Sequence, residues 1–348
     1  MRTLTAPERP PATAGPTVRG RWIWTVSGLV TVGLIALPAA RLITLDPHHG
    51  FALSSTPTKT VSLAITKPVT RLNVTSYGAP IQVTTGAGHR VTVTESISYS
   101  PQAGAPAVTD SVSRGQLTLA APACQDSGCS VGFTVTVPSG VAVTAASDGG
   151  GIVVSGAAGA DLQSGGGPVH ATRIDGPVTL TSEGGGITLG EAAGTVNLDS
   201  GGGPVQARQI DGRLSVTAEG GGIDVAGVTA PAGANLDSGG GPILASQVDG
   251  PLTATAEGGG IRVEGLTGNL NADSGGGPAL VTFATAPDST VIDTEGGSAT
   301  VSVPGGPYAV TAESDGGGQS VMIATTPGAR RSITVSTGGG PLRIESAP

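Results

Sequence analysis

Runs of three glycines recur through the second half of this chain, beginning at Gly149, Gly165, Gly184, Gly201, Gly220, Gly239, Gly258, Gly275, Gly316 and Gly338. A worn copy, EGGS, sits at 295–298. The intervals are mostly 16–22 residues, a period that belongs to stacked repeats and not to a globular core. Two versions alternate, EGGGI (183–187, 219–223, 257–261) and SGGGP (164–168, 200–204, 238–242, 274–278). After each comes a short run with every second residue apolar, such as Ile187-x-Leu189, Ile223-x-Val225 or Ile261-x-Val263. Period-two alternation over so few residues predicts strands with one buried face. Asp-Gly pairs at Asp175, Asp211 and Asp249 supply the other turns, with the aspartates read as turn formers that bond their own backbone.

These features predict an all-β fold, an elongated parallel β-solenoid of 17–19-residue coils, each with two short strands and two corners. Equivalent positions then recur every ~4.8 Å. A glutamate in every coil would set like charges at that spacing, costing roughly 0.9 kcal/mol per pair even in water. Alternating Glu183, Glu219 and Glu257 with Ser200, Ser238 and Ser274 doubles the spacing. Ten to fifteen coils would make a rod of roughly 50–70 Å. The glycines are expected at corners that need positive φ or close backbone approach between coils. They do not form phosphate loops: no triplet is followed by the lysine of GxxxxGK[ST], and no helical period follows one.

The N-terminus reads differently. Residues 1–21 carry Arg2, Arg9, Arg19 and Arg21 against Glu8, and residues 22–40 are uncharged and mostly apolar. Trp22 and Trp24, the two tryptophans, sit where an interfacial belt would lie. We assign 1–21 as a cytoplasmic disordered tail, 22–42 as a single-pass transmembrane helix and 43–58 as a linker. Residues 59–145 form irregular β coils, and 146–348 the glycine-rich repeats. The arginines place the N-terminus in the cytoplasm and the rest outside the cell membrane. A cleaved signal peptide is the alternative, disfavoured by Pro38 within LPAAR at 37–41. In that setting Cys124 and Cys129, spaced as CQDSGC, are read as a disulfide. As a pair without nearby ligands they cannot complete a metal site.

The remaining motifs do not assemble a catalytic constellation. GCSVG at 128–132 matches a nucleophile elbow around Ser130 but runs into a strand, where the motif needs a helix. The histidines, His48, His49, His89 and His170, have no spaced partners. Acidic rows could hold adventitious calcium, but GGGITLGEA lacks the aspartate of the calcium-binding nonapeptide. Glycan-cleaving β-helices need convergent acids beside aromatics, and the repeats offer only Phe283 and Tyr308. The net charge of -8 argues against a nucleic-acid partner. No catalytic residue, cofactor, metal site or small-molecule substrate is assigned.

The order of parts resembles that of a bacterial family, the membrane-anchored adhesin proteins, a domain-of-unknown-function family common in actinobacteria. The resemblance is carried by RLNVTS (71–76), HRVTVTESISY (89–99) and CQDSGCSVGFTVTVPSGVAV (124–143), followed by glycine-punctuated strand repeats. It implies a β-solenoid and no catalytic residues. The chain departs from the family in having GGG at most corners. The functional expectation is a non-enzymatic surface scaffold that binds a protein or a cell-wall polymer. The alternative is an envelope-stress or signalling accessory acting through its span or cytoplasmic tail. An open strand edge is expected at the C-terminal 329–348, guarded by Arg330, Arg331 and Arg343.

Overall fold

Inward apolar residues alternating with outward polar ones build every element of the repeat region. The computed structural model describes residues 57–123 and 128–347, and each regular element among them is a β-strand. The expected tail and transmembrane helix lie outside the described residues, as do most of the linker and Cys124. Among the described residues no helix is long and apolar enough to cross a membrane. All of them belong to one compact unit, Ser54–Pro348.

Seven strands precede the regular stack: β1 (Thr58–Ile65), β2 (Arg71–Ser76), β3 (Ile81–Gly86), β4 (Val91–Ser98), β5 (Thr109–Ser113), β6 (Gln116–Ala120) and β7 (Ser130–Pro138). From β8 (Ala142–Ser147) and β9 (Ile152–Ala157) to β24 (Ser289–Thr294) and β25 (Ala299–Val303), consecutive strands fall alternately in two sheets. Even-numbered strands make one sheet, called B here, and odd-numbered strands the other, A. About 11 coils of about 19 residues stack this way, with parallel pairing throughout. The core is the thin space between the sheets. One inward column runs Val169, Ile187, Val205, Ile223, Ile243, Ile261, each opposite the next and each at most 1% exposed. Burying each such side chain contributes about 1.5–3 kcal/mol against leaving it exposed.

The triplets are corners leading from sheet B to sheet A. Their glycines lack positive φ, so the first of the two expected reasons is corrected. Close approach is the cause. A Cβ on Gly185 would lie 2.5 Å from the carbonyl carbon of Gly167 and 2.6 Å from the nitrogen of Pro168 in the preceding coil. Most corners are also latched from inside by a buried hydroxyl, serine in most and threonine at Thr294 and Thr337, with alanine in its place at Ala218 and Ala256. Ser164 Oγ accepts from the Gly167 N–H at 2.9 Å and donates to the Gly150 carbonyl at 3.0 Å, and Ser182, Ser200 and Ser238 repeat the motif.

That latch sets a register different from the expected one. Ser182 pairs with Ser200, so Glu183 stands beside Gly201 and not beside Ser200. The serines point inward in most coils, and acid alternates with glycine at the next position outward. The doubled spacing of the glutamates holds, but the residue between them is glycine. A Cβ on Gly201 would meet the Glu183 carbonyl oxygen at 2.7 Å. Three positions further, proline alternates with glycine for the same reason: a Cβ on Gly186 would meet the Pro204 carbonyl at 2.8 Å. Neighbouring coils therefore carry complementary corners.

Complementarity accounts for an unexpected chain path at the end of the stack. After β25 the chain forms β26 (Ala309–Ser314) and β27 (Gln319–Met322), then returns as β28 (Ser332–Thr337) and β29 (Leu342–Ser346). The later pair sits between β24/β25 and β26/β27. Stacked directly, Asp315 would lie on Glu295; interposed, Gly338 faces both acids' coils. The expected open edge at 329–348 is thus corrected. Those strands are interior, Arg343 lies on the outward face of β29, and the free edge belongs to β26 and β27. At the other end β2 and β3 slot between β8/β9 and β6/β7, and the antiparallel β1, β4 and β5 close the stack.

Sheet A carries one feature the sequence reading missed. Arg173, Glu191, Gln209 and Gln247 have φ of 54°, 52°, 55° and 53°, and Gly156, Gly227 and Gly265 occupy the same ladder position. Each left-handed residue inserts an extra outward position, bending the strand toward the next corner. Its signal was present: Ala171-x-x-Ile174 and Ala207-x-x-Ile210 break the period of two.

Candidate functional site

The outward face of sheet B near the triplet corners concentrates the molecule's unpaired-looking polarity. One column runs Asp148, Glu183, Glu219, Glu257, Glu295 and Asp315 in alternate coils, separated by the corner glycines. Beside it a second column runs Thr181, Asp199, Thr217, Asp237, Thr255, Asp273 and Asp293 in successive coils, then Ser336 and Glu313. From Glu183 to Asp273 the acids of one column occupy the coils that lack them in the other; at the distal end Asp293 shares a coil with Glu295 and Glu313 with Asp315. The result is a staggered carboxylate margin with repeats of about 10 Å along each column, except where Asp273 and Asp293 stand in adjacent coils. Neither column contains a lysine or arginine. At an effective water dielectric, charges that far apart repel by about 0.4 kcal/mol per pair, tolerable along a stack held by its core.

The ion pairs lie elsewhere. On sheet A, Arg208 meets Asp224 at 3.0 Å, Arg262 meets Glu264 at 2.6 Å and Arg343 meets Glu345 at 2.7 Å. Sheet A is thus close to neutralised on its outer face, with Leu244 and Leu280 exposed on either side of Arg262.

At its N-terminal end the margin runs into a cleft of about 400 Å3. The floor is sheet B, through Thr75, Ala146 and Gln163; Ala121 and Ala123 belong to the irregular segment, and Tyr77, Asp148 and Glu183 complete the lining. A phenol, an amide, a hydroxyl and two carboxylates, without a cation, suit a ligand rich in hydrogen-bond donors or positive charge.

The structure disperses the other residues singled out in the sequence. Ser130 opens β7, opposite Ser98, with no helix after it, so the elbow geometry is absent there. His170 points outward from β11 (Val169–Ile174) between Val153 and Thr188, and His89 lies in an exposed turn. Phe283 and Tyr308 are core residues, 2% and 0% exposed, and Tyr308 donates its hydroxyl hydrogen to the Pro304 carbonyl at 2.8 Å. Burial pushes its phenol pKa up. Asp175, Asp211 and Asp249 sit at the second corner with exposed side chains; there the Gly194 N–H donates to the Asp211 carbonyl at 2.8 Å. Cys129 directly precedes β7, while Cys124 lies outside the described residues, so their pairing stays an expectation. Among the described residues no group of three or more metal-ligating side chains converges.

Glu95 is the one charged side chain buried among the described residues. It points inward from β4 at 5% exposure, opposite Val61 and Phe133. Burial raises its carboxyl pKa, Asp110 adds to the rise and Lys59 opposes it.

No family model and no curated protein matches the chain. Similar solved structures include a "putative adhesin" from Bacteroides fragilis NCTC 9343 (15% identity, TM-score 0.29, 84% of this chain and 98% of that one). A "putative cell adhesion protein" from Clostridium sporogenes ATCC 15579 has 9% identity and a TM-score of 0.22 over 84% of this chain and 100% of that one. A "putative lipid binding protein" from Parabacteroides distasonis ATCC 8503 has 11% identity and a TM-score of 0.35 over 84% and 97%.

Proposed function

We propose that this chain is a non-enzymatic binding module held at a bacterial cell membrane by residues 22–42 and displayed outside it. Its carboxylate margin on sheet B engages a protein or cell-wall polymer that carries positive charge. The observation that supports this reading is the margin itself, two columns of carboxylates with no lysine or arginine among them, while three of the four ion pairs among the described residues lie on sheet A. Regular spacing along a stack suits a repeating ligand better than a small one, because successive weak contacts add through effective concentration.

The test is retention of the full chain on isolated cell-wall material and on cells. Binding is expected to weaken as salt rises, since exposed charges beyond about 8 Å are screened at physiological ionic strength. Replacing Asp199, Asp237 and Asp273 together with Asn should reduce retention severalfold and leave the thermal midpoint in place. Retention unchanged by the triple replacement would remove the margin from the proposal. Labelling of intact cells through an introduced surface cysteine tests the topology, and a label confined to lysed cells would overturn display outside.

A further inference from the structure

The distal end of the stack is finished differently from the proximal one. At the proximal end the edge strands are antiparallel, β1 carries Lys59, and Glu95 points inward beside them. Inward charges and edge lysines are devices that keep a sheet from adding strands. At the distal end β26 pairs with no strand but β28 and β27 with none but β29; residues 324–326 cover the outer edge at Tyr308, just before β26, and the edge row beyond it, from Val310 to Ser314 and along β27, is left free. Their sequences, AVTAES and QSVM, hold no proline, lysine or arginine. Val321 and Met322 are 38% and 49% exposed, and the inward Val310 and Ala312 are half-buried where their counterparts one coil inside are at most 1% exposed. A hollow of about 520 Å3 opens between the two sheets there, lined by Val310, Ala312, Val321 and Pro327.

We infer that this end is an interface for a second copy of the chain, joined end to end about a two-fold axis perpendicular to both sheets. Such an axis pairs β26 with its own copy and β27 with its own copy at once, antiparallel, and keeps inward side chains inward. Both sheets then run on through the junction and the hollow closes.

Two observations select this occupant. The first is charge. Glu313 and Asp315 lie at the C-terminal end of β26. Arg331 lies at the other end, at the entry to β28, its carbonyl accepting from the Ala309 N–H at 2.8 Å and its half-exposed guanidinium in a long 3.9 Å contact with Asp288. Antiparallel pairing sets each acidic end against the partner's arginine. The second is the corner rule. A coil added head to tail must offer glycine beside Asp315 and can place proline beside Gly318, and the proximal end presents antiparallel strands without a triplet corner. Head-to-tail growth is therefore disfavoured and the two-fold junction closes on itself.

The full chain, in density-matched detergent because of its apolar segment, is examined by sedimentation equilibrium across about 1–100 μM, the range in which a modest interface reveals mass action. A reversible dimer is expected. Arg331→Glu alone should weaken it at least about tenfold, since both symmetric contacts become repulsive. Adding Glu313→Arg and Asp315→Arg to that variant should restore it. Circular dichroism and the thermal midpoint of each variant establish that the stack is intact. A monomeric native chain overturns the inference, as does a dimer that ignores the single reversal in a folded variant. Neither result touches cell-wall retention through the sheet B margin, which is read separately.

Discussion

Replacing Gly203 with alanine tests the corner rule most directly. The added Cβ would lie 2.4 Å from the Gly186 nitrogen and 2.5 Å from the Gly185 carbonyl carbon, all of it backbone with no side chain to swing aside. Relief requires the two coils to part by nearly 1 Å, against an ordinary contact near 3.4 Å. That displacement disrupts the Ser200 latch, whose hydroxyl accepts from the Gly203 N–H at 3.2 Å and donates toward the Gly203 and Gly185 carbonyls at 2.8 and 3.2 Å. The hydroxyl has one hydrogen to share between the two carbonyls, so one accepted and one donated bond at about 1 kcal/mol each give a loss of about 2 kcal/mol. Alanine also restricts the unfolded chain, which returns about 0.4–1 kcal/mol. The net expectation is a destabilisation of about 1–1.6 kcal/mol from the latch alone. Gly190 is the control, because its Cβ would meet nothing closer than Thr172 Cγ2 at 3.7 Å and its φ is not left-handed. Gly190→Ala should stabilise by about 0.5 kcal/mol through the unfolded state. Urea unfolding followed by circular dichroism reads both changes from the midpoint, with the slope checked for loss of cooperativity along the stack. Equal effects at the two glycines, or a loss at Gly203 below about 1 kcal/mol, would refute the close-approach account.

Thr290 is fully buried in an inward column between Leu270 and Ile333, and its Oγ1 has no hydrogen-bond partner. Thr290→Val should therefore raise stability by about 1–2 kcal/mol in the same urea assay. Ser238→Ala should lower it by about 1–2 kcal/mol, because Ala218 and Ala256 show that the methyl fits while the latch is lost. Glu95 has a raised folded-state pKa, so its contribution is fully present below the unfolded value near 4.5 and is lost as pH rises through the folded value. Comparing thermal midpoints of the native chain and Glu95→Gln from acid to neutral pH, the native chain should fall behind the variant on the neutral side; parallel curves would exclude the effect. For Cys124 and Cys129, intact-mass analysis of alkylated protein recovered from the cell exterior should show the alkylation of both thiols only after reduction.

Much of this architecture was legible in the residues. The triplets marked corners because three glycines in a row recur only where backbones crowd, and Ile187-x-Leu189 and its copies marked strands because a pleat has a period of two. The alternation of glutamates even implied their spacing. The sequence could not say which residue of each corner faced inward. SGGGP and SEGGGI look aligned at their triplets, yet Ser164 and Ser182 align at their hydroxyls, one residue off. Only the buried latch distinguishes the two registers, and a latch is a contact between coils. The second carboxylate column, Asp199, Asp237 and Asp273, was equally hidden, because its neighbourhood with Glu183 and Glu219 exists only once the coils stack.

The end of the chain shows the division most clearly. Reading in order placed residues 332–346 at the tip, since nothing local to SITVST or LRIES says otherwise. Tertiary structure put them one coil inside. An acid-bearing corner at Glu295 must be followed by glycine, and the next corner in the chain, SDGGGQ, carries Asp315 in its place. Strand formation is a matter of side-chain periodicity and was settled by the sequence alone. The order of coils depends on whether two backbones from distant segments fit at close range, a steric condition that arises only in the assembled stack.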